Sequence, residues 1–296
     1  MDLWILHADT PYRMYREKRS FSDPALHVYA DTLRLYDRAV MCFAFWADKR
    51  ESDEAAWRSC LAMYEGAAEK LRYAPCHVIF SIEDARILSA QSQARLAWLR
   101  HHGIRILTPF WSGCNRFGGA HDTKTGLTTA GQQLCADAVA RGMLLDVSHA
   151  SRESFPDMAD ISRAGKLPLL ATHSNFYAVT PHSRNLTDPE ALTIAGSGGV
   201  IGLSLVPSHT GGLPDVSALF AHIDHGITLG IGDALAIGGD FDGTDTLAAS
   251  LHDAGGLATV LLPAMQKRYG EDFTQRFFYG NAYDRLGAYL FQSQDK

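Results

Sequence analysis

The sequence predicts an α/β protein: a single closed (β/α)8 barrel of the TIM type with a helical C-terminal tail. Three observations carry this. Eight short, nearly continuous apolar runs alternate with helical stretches. Such runs mark strands buried on both faces, as in parallel sheets, and regular alternation of strand and helix defines the α/β class. The length of 296 residues suits eight such units. Titratable residues also gather just after the apolar runs, at the strand ends where barrel enzymes carry their active sites. An open doubly wound sheet is the competing arrangement, but no GxGxxG follows the first run. No low-complexity segment or linker divides the chain, so residues 1–296 are expected to form one catalytic domain.

The first run, Leu3–Leu6, leads into His7-Ala8-Asp9-Thr10-Pro11, a polar basic loop and a helical stretch over about Asp23–Arg38. The second, Ala39–Phe45, precedes a charged loop and a long helix over Asp53–Leu71. The third, His77–Ile82, ends in Glu83-Asp84 and is followed by a helix over Ile87–His101. Ile104–Phe110 is the fourth. The Gly-rich stretch Trp111–Gly126 is the longest irregular segment, and a helix over Thr129–Arg141 follows it. The fifth run, Met143–Val147, closes in the polar cluster Asp146, Ser148 and His149, with Ser151 read as the N-cap of a helix to Ala164. The sixth, Leu167–Thr172, ends in His173-Ser174; the loop Asn175–Asn185 and a helix over Pro189–Gly196 come next. The seventh, Val200–Val206, is followed by the loop Ser208–Leu213 and a helix over Val216–Leu229. The eighth, Ala234–Gly239, ends in Asp240-Phe241-Asp242-Gly243, and the tail Gly255–Leu290 is helical.

Composition excludes several classes. A net charge of −6 gives no footprint for nucleic acid. No run of ~18 apolar residues is present to span a membrane. The first strand begins at once, so no secretory leader is expected. The five cysteines, Cys42, Cys60, Cys76, Cys114 and Cys135, are odd in number and lack CxxC spacing. They are read as reduced thiols of a cytoplasmic protein.

The chemistry lies at the strand ends. Strand one gives His7 and Asp9, strand three Glu83, strand five His149, strand six His173 and strand eight Asp240. Imidazoles and carboxylates are good ligands for zinc and similar divalent ions. In His7-x-Asp9 the period of two along a strand points both side chains the same way. Three histidines, an Asp and a Glu exceed what a single tetrahedral zinc that also holds water can use, and suit two metals bridged by Glu83. Taken singly, Glu83 could be a helix-cap carboxylate, and Asp240 and Asp242 could form an Asx turn before Gly243. Six suitable groups at the same ends of five strands rarely arise by chance.

With these residues in place, the sequence resembles the membrane dipeptidase (renal dipeptidase) family of zinc peptidases, within the amidohydrolase superfamily of metal-dependent hydrolases. The resemblance runs from LHADT to GNAYDRL. The family's H-x-D matches His7 and Asp9, and its bridging glutamate matches Glu83 in SIEDA. GLTTAG, GMLLDVSH with His149, THS with His173, HSRN with Arg184 and GGDFDG with Asp240 match further family segments. The resemblance implies two zinc ions per chain, one on His7, Asp9 and Glu83 and the other on Glu83, His149 and His173. It further implies a bridging hydroxide that attacks the carbonyl of a dipeptide, Asp240 as proton relay, Arg184 as the clamp for the substrate carboxylate, and a homodimer. A planar guanidinium fork suits such a clamp.

The chain departs from the family pattern at three places. The histidine of T-H-x-x-N after strand four is replaced in TPFWSGCN, where Trp111 or Ser112 falls; His121, further along the loop, is a candidate substitute. A tyrosine after strand seven appears as Val206, and the glycine after the bridging glutamate as Asp84. The ligand set is intact while the substrate contacts differ. The principal reading is a zinc dipeptidase. A second is a metal-dependent hydrolase of a non-peptide amide, lactam or lactone, and a third is a barrel kept as a binding or assembly module. Fold alone does not separate them.

Overall fold

The apolar runs resolve, in a computed structural model describing residues 1–212, 215–248 and 251–291, into eight parallel strands. They are Asp2–Ala8, Arg38–Phe45, His77–Glu83, Ile104–Thr108, Leu144–Asp146, Leu169–Leu170, Ile201–Ser204 and Leu235–Phe241. Consecutive strands pair from the first to the sixth, and the first also pairs with the eighth, which pairs with the seventh. A parallel bridge between Ala171 and Ile201 joins the sixth to the seventh, with Gly202 N donating to Ala171 O at 2.7 Å. The ring is thereby closed. Leu213, at the end of one predicted loop, lies outside the described residues.

Side-chain alternation sorts the core into two clusters. Leu3, Ile5, Met41 and Ile237 pack outward against the helices. Trp4, Leu6, Val40, Cys42, Ile79, Ile106, Leu144 and Ala236 fill the barrel interior. Ala282, Leu286 and Leu290 of the tail helix Asn281–Leu290 belong to that same inner cluster. The predicted helical tail therefore plugs one end of the barrel and leaves the strand C-terminal ends as the open mouth. By alternation alone His7 would share the outward face of Leu3 and Ile5. The ladder with the second strand is irregular between Ile5 and Ala8, and this break turns His7 toward the mouth.

Some elements differ from expectation. The loop expected after Asp9 is a helix, Thr10–Arg16, started by Pro11 in its first turn. The helix expected over Asp23–Arg38 shrinks to Ala30–Leu33, because the preceding turns are drawn onto the eighth-strand loop, where His27 N donates to Asp242 Oδ1. Ser151 does not cap the next helix, which starts at Phe155; its hydroxyl accepts from Ser154 N in the turn before it. The helix expected over Ile87–His101 is split into Ala85–Leu88 and Ser92–His101. The tail is interrupted at Gly270 and by wider helical turns at Leu257–Leu261 and Arg276–Gly280.

Candidate metal centre

His7 and Asp240 lie within the first and eighth strands, Glu83 ends the third, and Asp9 directly follows the first. His149 and His173 sit a few residues past the fifth and sixth. All six meet at the mouth. His7 Nε2 is 3.3 Å from Asp9 Oδ2, 3.8 Å from Glu83 Oε2 and 4.0 Å from Asp240 Oδ1. The other Glu83 oxygen, Oε1, is 2.7 Å from His149 Nε2 and 3.5 Å from His173 Nε2. The two oxygens of one carboxylate thus face two different histidine groups. Donor atoms of His7, Glu83 and His173 lie within 4.8 Å of one another, as do those of His7, Asp9 and Asp240.

The chemistry of this donor set fits cations. His149 and His173 bring their Nε2 atoms to 2.9 Å of each other, and Asp9 Oδ1 is buried without a hydrogen-bond partner. Burial, together with nearby cationic groups, holds both histidines well below the ordinary imidazole range, so they are neutral, as a ligand must be. Burial disfavours charge on His7 as well, but Asp9 and Glu83 outweigh it and raise that ring to about 10. Burial and Asp9 push Glu83 well above the usual carboxylate range, and burial raises Asp240 to about 6.

A network beneath the mouth orients the imidazoles. Asp146 accepts hydrogen bonds from Thr108 Oγ1 at 2.7 Å, Ser148 Oγ at 2.6 Å, Thr172 N at 2.9 Å and Thr172 Oγ1 at 2.6 Å. With its proton directed to Asp146, the Thr172 hydroxyl is left to accept from His173 Nδ1, 2.9 Å away. His173 Nε2 then presents a lone pair to the centre. His149 reaches the same tautomer by donating from Nδ1 to the Trp111 carbonyl at 2.7 Å. Asp146 was expected only as a member of the polar cluster that closes the fifth run, with no role assigned, and Thr172 was not expected at the site. The only signal in the sequence was a carboxylate closing an apolar run two residues before a serine-histidine pair.

Backbone strain gathers at the same rim. Asp84, Asp240 and Asp242 all hold left-handed φ angles, of 71°, 65° and 63°. The Asp84 conformation accounts for a glycine in the family pattern. Here the side chain compensates by accepting from Arg86 N at 3.1 Å and Asn115 Nδ2 at 2.9 Å. Asp242 is tied down by Thr10 Oγ1 at 2.6 Å and His27 N at 2.8 Å. A Cβ on Gly243 would stand 2.2 Å from Asp240 Oδ1 and 2.4 Å from Asp9 Oδ2, so only glycine lets the chain pass behind these carboxylates.

Arg184 is buried beside the histidines, its Nη2 3.1 Å from His149 Nε2 and donating to His173 O at 3.3 Å. Its Nη1 is buried with no hydrogen-bond partner, and among the described residues it makes no ion pair. His121 lies on this side, its ring 5.9 Å from that of His149 and its Nδ1 2.8 Å from Ser183 Oγ. Burial and Arg184 push His121 down to about 4. Trp111 instead lines a cavity of about 320 Å³ that opens onto Asp9, Glu83, His149 and Asp240.

Closed barrel and convergent imidazole-carboxylate cluster together define a barrel protein built to hold metal at its mouth. The match to a family is specific. Residues 60–284 fit the family Membrane dipeptidase (Peptidase family M19), and the chain belongs to it. It is 25% identical over 272 residues to dipeptidase tcpJ of Claviceps purpurea, covering 89% of this chain and 60% of that protein. A Klebsiella pneumoniae protein from the pqqA 5′ region is 38% identical over 173 residues, 54% of this chain and 62% of that one. The chain thus spans about three fifths of these two relatives. Among solved structures it is similar to dipeptidase AC, a metallo peptidase, with 26% identity, a TM-score of 0.86 and 99% of each chain covered. No helix among the described residues is long and apolar enough to cross a membrane.

Proposed function

We propose that this chain is a zinc-dependent dipeptidase, with residues 1–296 as one catalytic domain. The observation that carries the reading is the division of Glu83 between two histidine groups, Oε2 toward His7 and Oε1 toward His149 and His173. His7, Asp9 and Glu83 would hold one ion, and Glu83, His149 and His173 the other. When bound, two such ions polarise a substrate carbonyl and activate water as the nucleophile.

The remaining groups supply binding and proton transfer. Arg184 offers the buried, unpartnered Nη1 to the substrate's free carboxylate. Asp240, raised to about 6 and next to His7, takes a proton from the nucleophile and returns it to the leaving amine. Trp111 bounds the substrate cavity, and His121 stands beside His149 at the Arg184 end. Membership of the dipeptidase family and likeness to dipeptidases support this reading.

Loss of the family's loop-four histidine, where Trp111 or Ser112 falls here, favours a second reading, hydrolysis of a non-peptide amide, lactam or lactone by the same centre. Assaying the zinc-loaded protein on dipeptides, their C-terminal amides, N-acyl amino acids and lactones separates the two. The dipeptidase reading expects turnover of free dipeptides and loss of at least tenfold on amidation. Turnover confined to the non-peptide substrates would establish the second reading instead.

A further inference from the structure

One part of the cavity, its aromatic arm, is lined by side chains that are not metal donors. Tyr12, Trp46 and Trp111 form a continuous aromatic wall along it. The Tyr12 and Trp46 rings are 4.8 Å apart at 81°, and those of Trp46 and Trp111 are 4.9 Å apart at 58°. The three come from three different elements: the helix after the first strand, the residue directly after the second, and the loop after the fourth. Trp111 is fixed relative to the centre because its carbonyl holds His149 Nδ1 at 2.7 Å.

His149 also sets the direction in which a substrate lies. Its Nδ1 meets the Trp111 carbonyl and its Nε2 lies 3.1 Å from Arg184 Nη2, so the backbone that carries the Trp111 ring and the guanidinium are on opposite sides of one imidazole. Arg184 does not line the cavity itself but touches His149, which does, so a dipeptide whose carboxylate rests on Arg184 enters the cavity past His149 with its N-terminal residue leading. Building on the dipeptidase reading, we propose that this arm is the N-terminal side-chain subsite and that it selects planar aromatic residues. Aromatic rings gain from edge-to-face and offset contacts with other rings beyond the area they bury. At about 320 Å³ the cavity is at the small end of ligand sites.

The test compares kcat/KM of the zinc-loaded enzyme for Phe-Ala, Tyr-Ala, Leu-Ala, Ala-Ala and Lys-Ala. The aromatic dipeptides are expected to exceed Ala-Ala, and Leu-Ala and Lys-Ala with it, by about 10- to 100-fold. In Trp46→Leu and Trp111→Leu the Phe-Ala to Ala-Ala ratio should fall toward one; being a ratio within one variant, it cancels any general loss of folded enzyme. A wild-type ratio near one, or a ratio unchanged in both variants, overturns the proposal. Tryptophan fluorescence of zinc-loaded Asp240→Asn, titrated with Phe-Ala and Ala-Ala, reads binding without turnover. Tighter binding of Phe-Ala there supports the arm even if no dipeptide is hydrolysed, an outcome that would sink only the dipeptidase reading. Equal binding overturns the arm.

Discussion

Thr172 decides which nitrogen His173 offers to the centre. Its hydroxyl has one proton, and Asp146, accepting from both sides, takes it. Thr172→Val removes the acceptor for His173 Nδ1–H and is expected to weaken zinc affinity by about 10- to 100-fold, the usual effect of losing a group that orients a metal ligand. Thr172→Ser should restore most of it; competition with a chromophoric chelator measures both, and unchanged affinity in the valine variant would remove the relay from the account. Asp240 differs in kind, since the proposal has it move a proton. Asp240→Asn should retain both zinc ions and lose about 10²-fold or more in kcat. Wild-type turnover in that variant would contradict the role. Arg184→Ala should act chiefly on KM for free dipeptides and little on KM for their amides. An equal effect on both would show that the guanidinium does not read the carboxylate.

At the scale of elements, the strands were legible because apolar runs buried on both faces leave little else for the sequence to be. Their ends were less so: Val147 and Leu167 are as apolar as their neighbours but fall outside the fifth and sixth strands. The helix Thr10–Arg16 was missed because only Thr10, Pro11 and Met14 of its residues are buried, too few for a visible stripe. The helix expected over Asp23–Arg38 failed for the opposite reason, since a distant carboxylate, Asp242, captures that backbone. Closure itself was expected from the count of eight units, but the contacts that make the seam were not legible, because they depend on how closely backbones approach. A Cβ on Gly202 would lie 2.1 Å from Thr172 O, and one on Gly238 would lie 2.6 Å from the same oxygen. Gly202→Ala should therefore force the sixth and seventh strands apart and destabilise the fold by about 1–3 kcal/mol, the range for overpacking. A urea midpoint equal to wild type would mean the seam is looser than the distances imply.

For the whole molecule, acid sensitivity reports how the mouth is held to the barrel. His222, fully buried on the helix Ser217–Thr228, accepts from Phe176 N at 3.2 Å and so anchors the loop that carries Arg184. Burial pushes this imidazole down to about 4 from an ordinary 6.5. The unfolded chain binds the proton first, so its contribution is complete above about pH 6.5 and is lost as pH falls toward 4. That loss is on the order of 3 kcal/mol. His222→Asn should reduce the pH 7 to pH 5 difference in urea midpoint, other depressed histidines, His121, His149 and His173 among them, supplying the remainder; an undiminished difference would mean that His222 has no part in it. The donors of the centre were legible at this scale because their types are unusual at strand ends. Thr172 and Trp46, and the orienting role of Asp146, were not, because these roles consist of distances to residues far away in the chain. The account as a whole stands or falls on the centre itself. Zinc titrated into the chelated protein, with dipeptide hydrolysis followed at each step, is predicted to show no turnover without metal and a rise that levels off at two equivalents per chain. Full turnover in the metal-free protein, or saturation at a single equivalent, would contradict it.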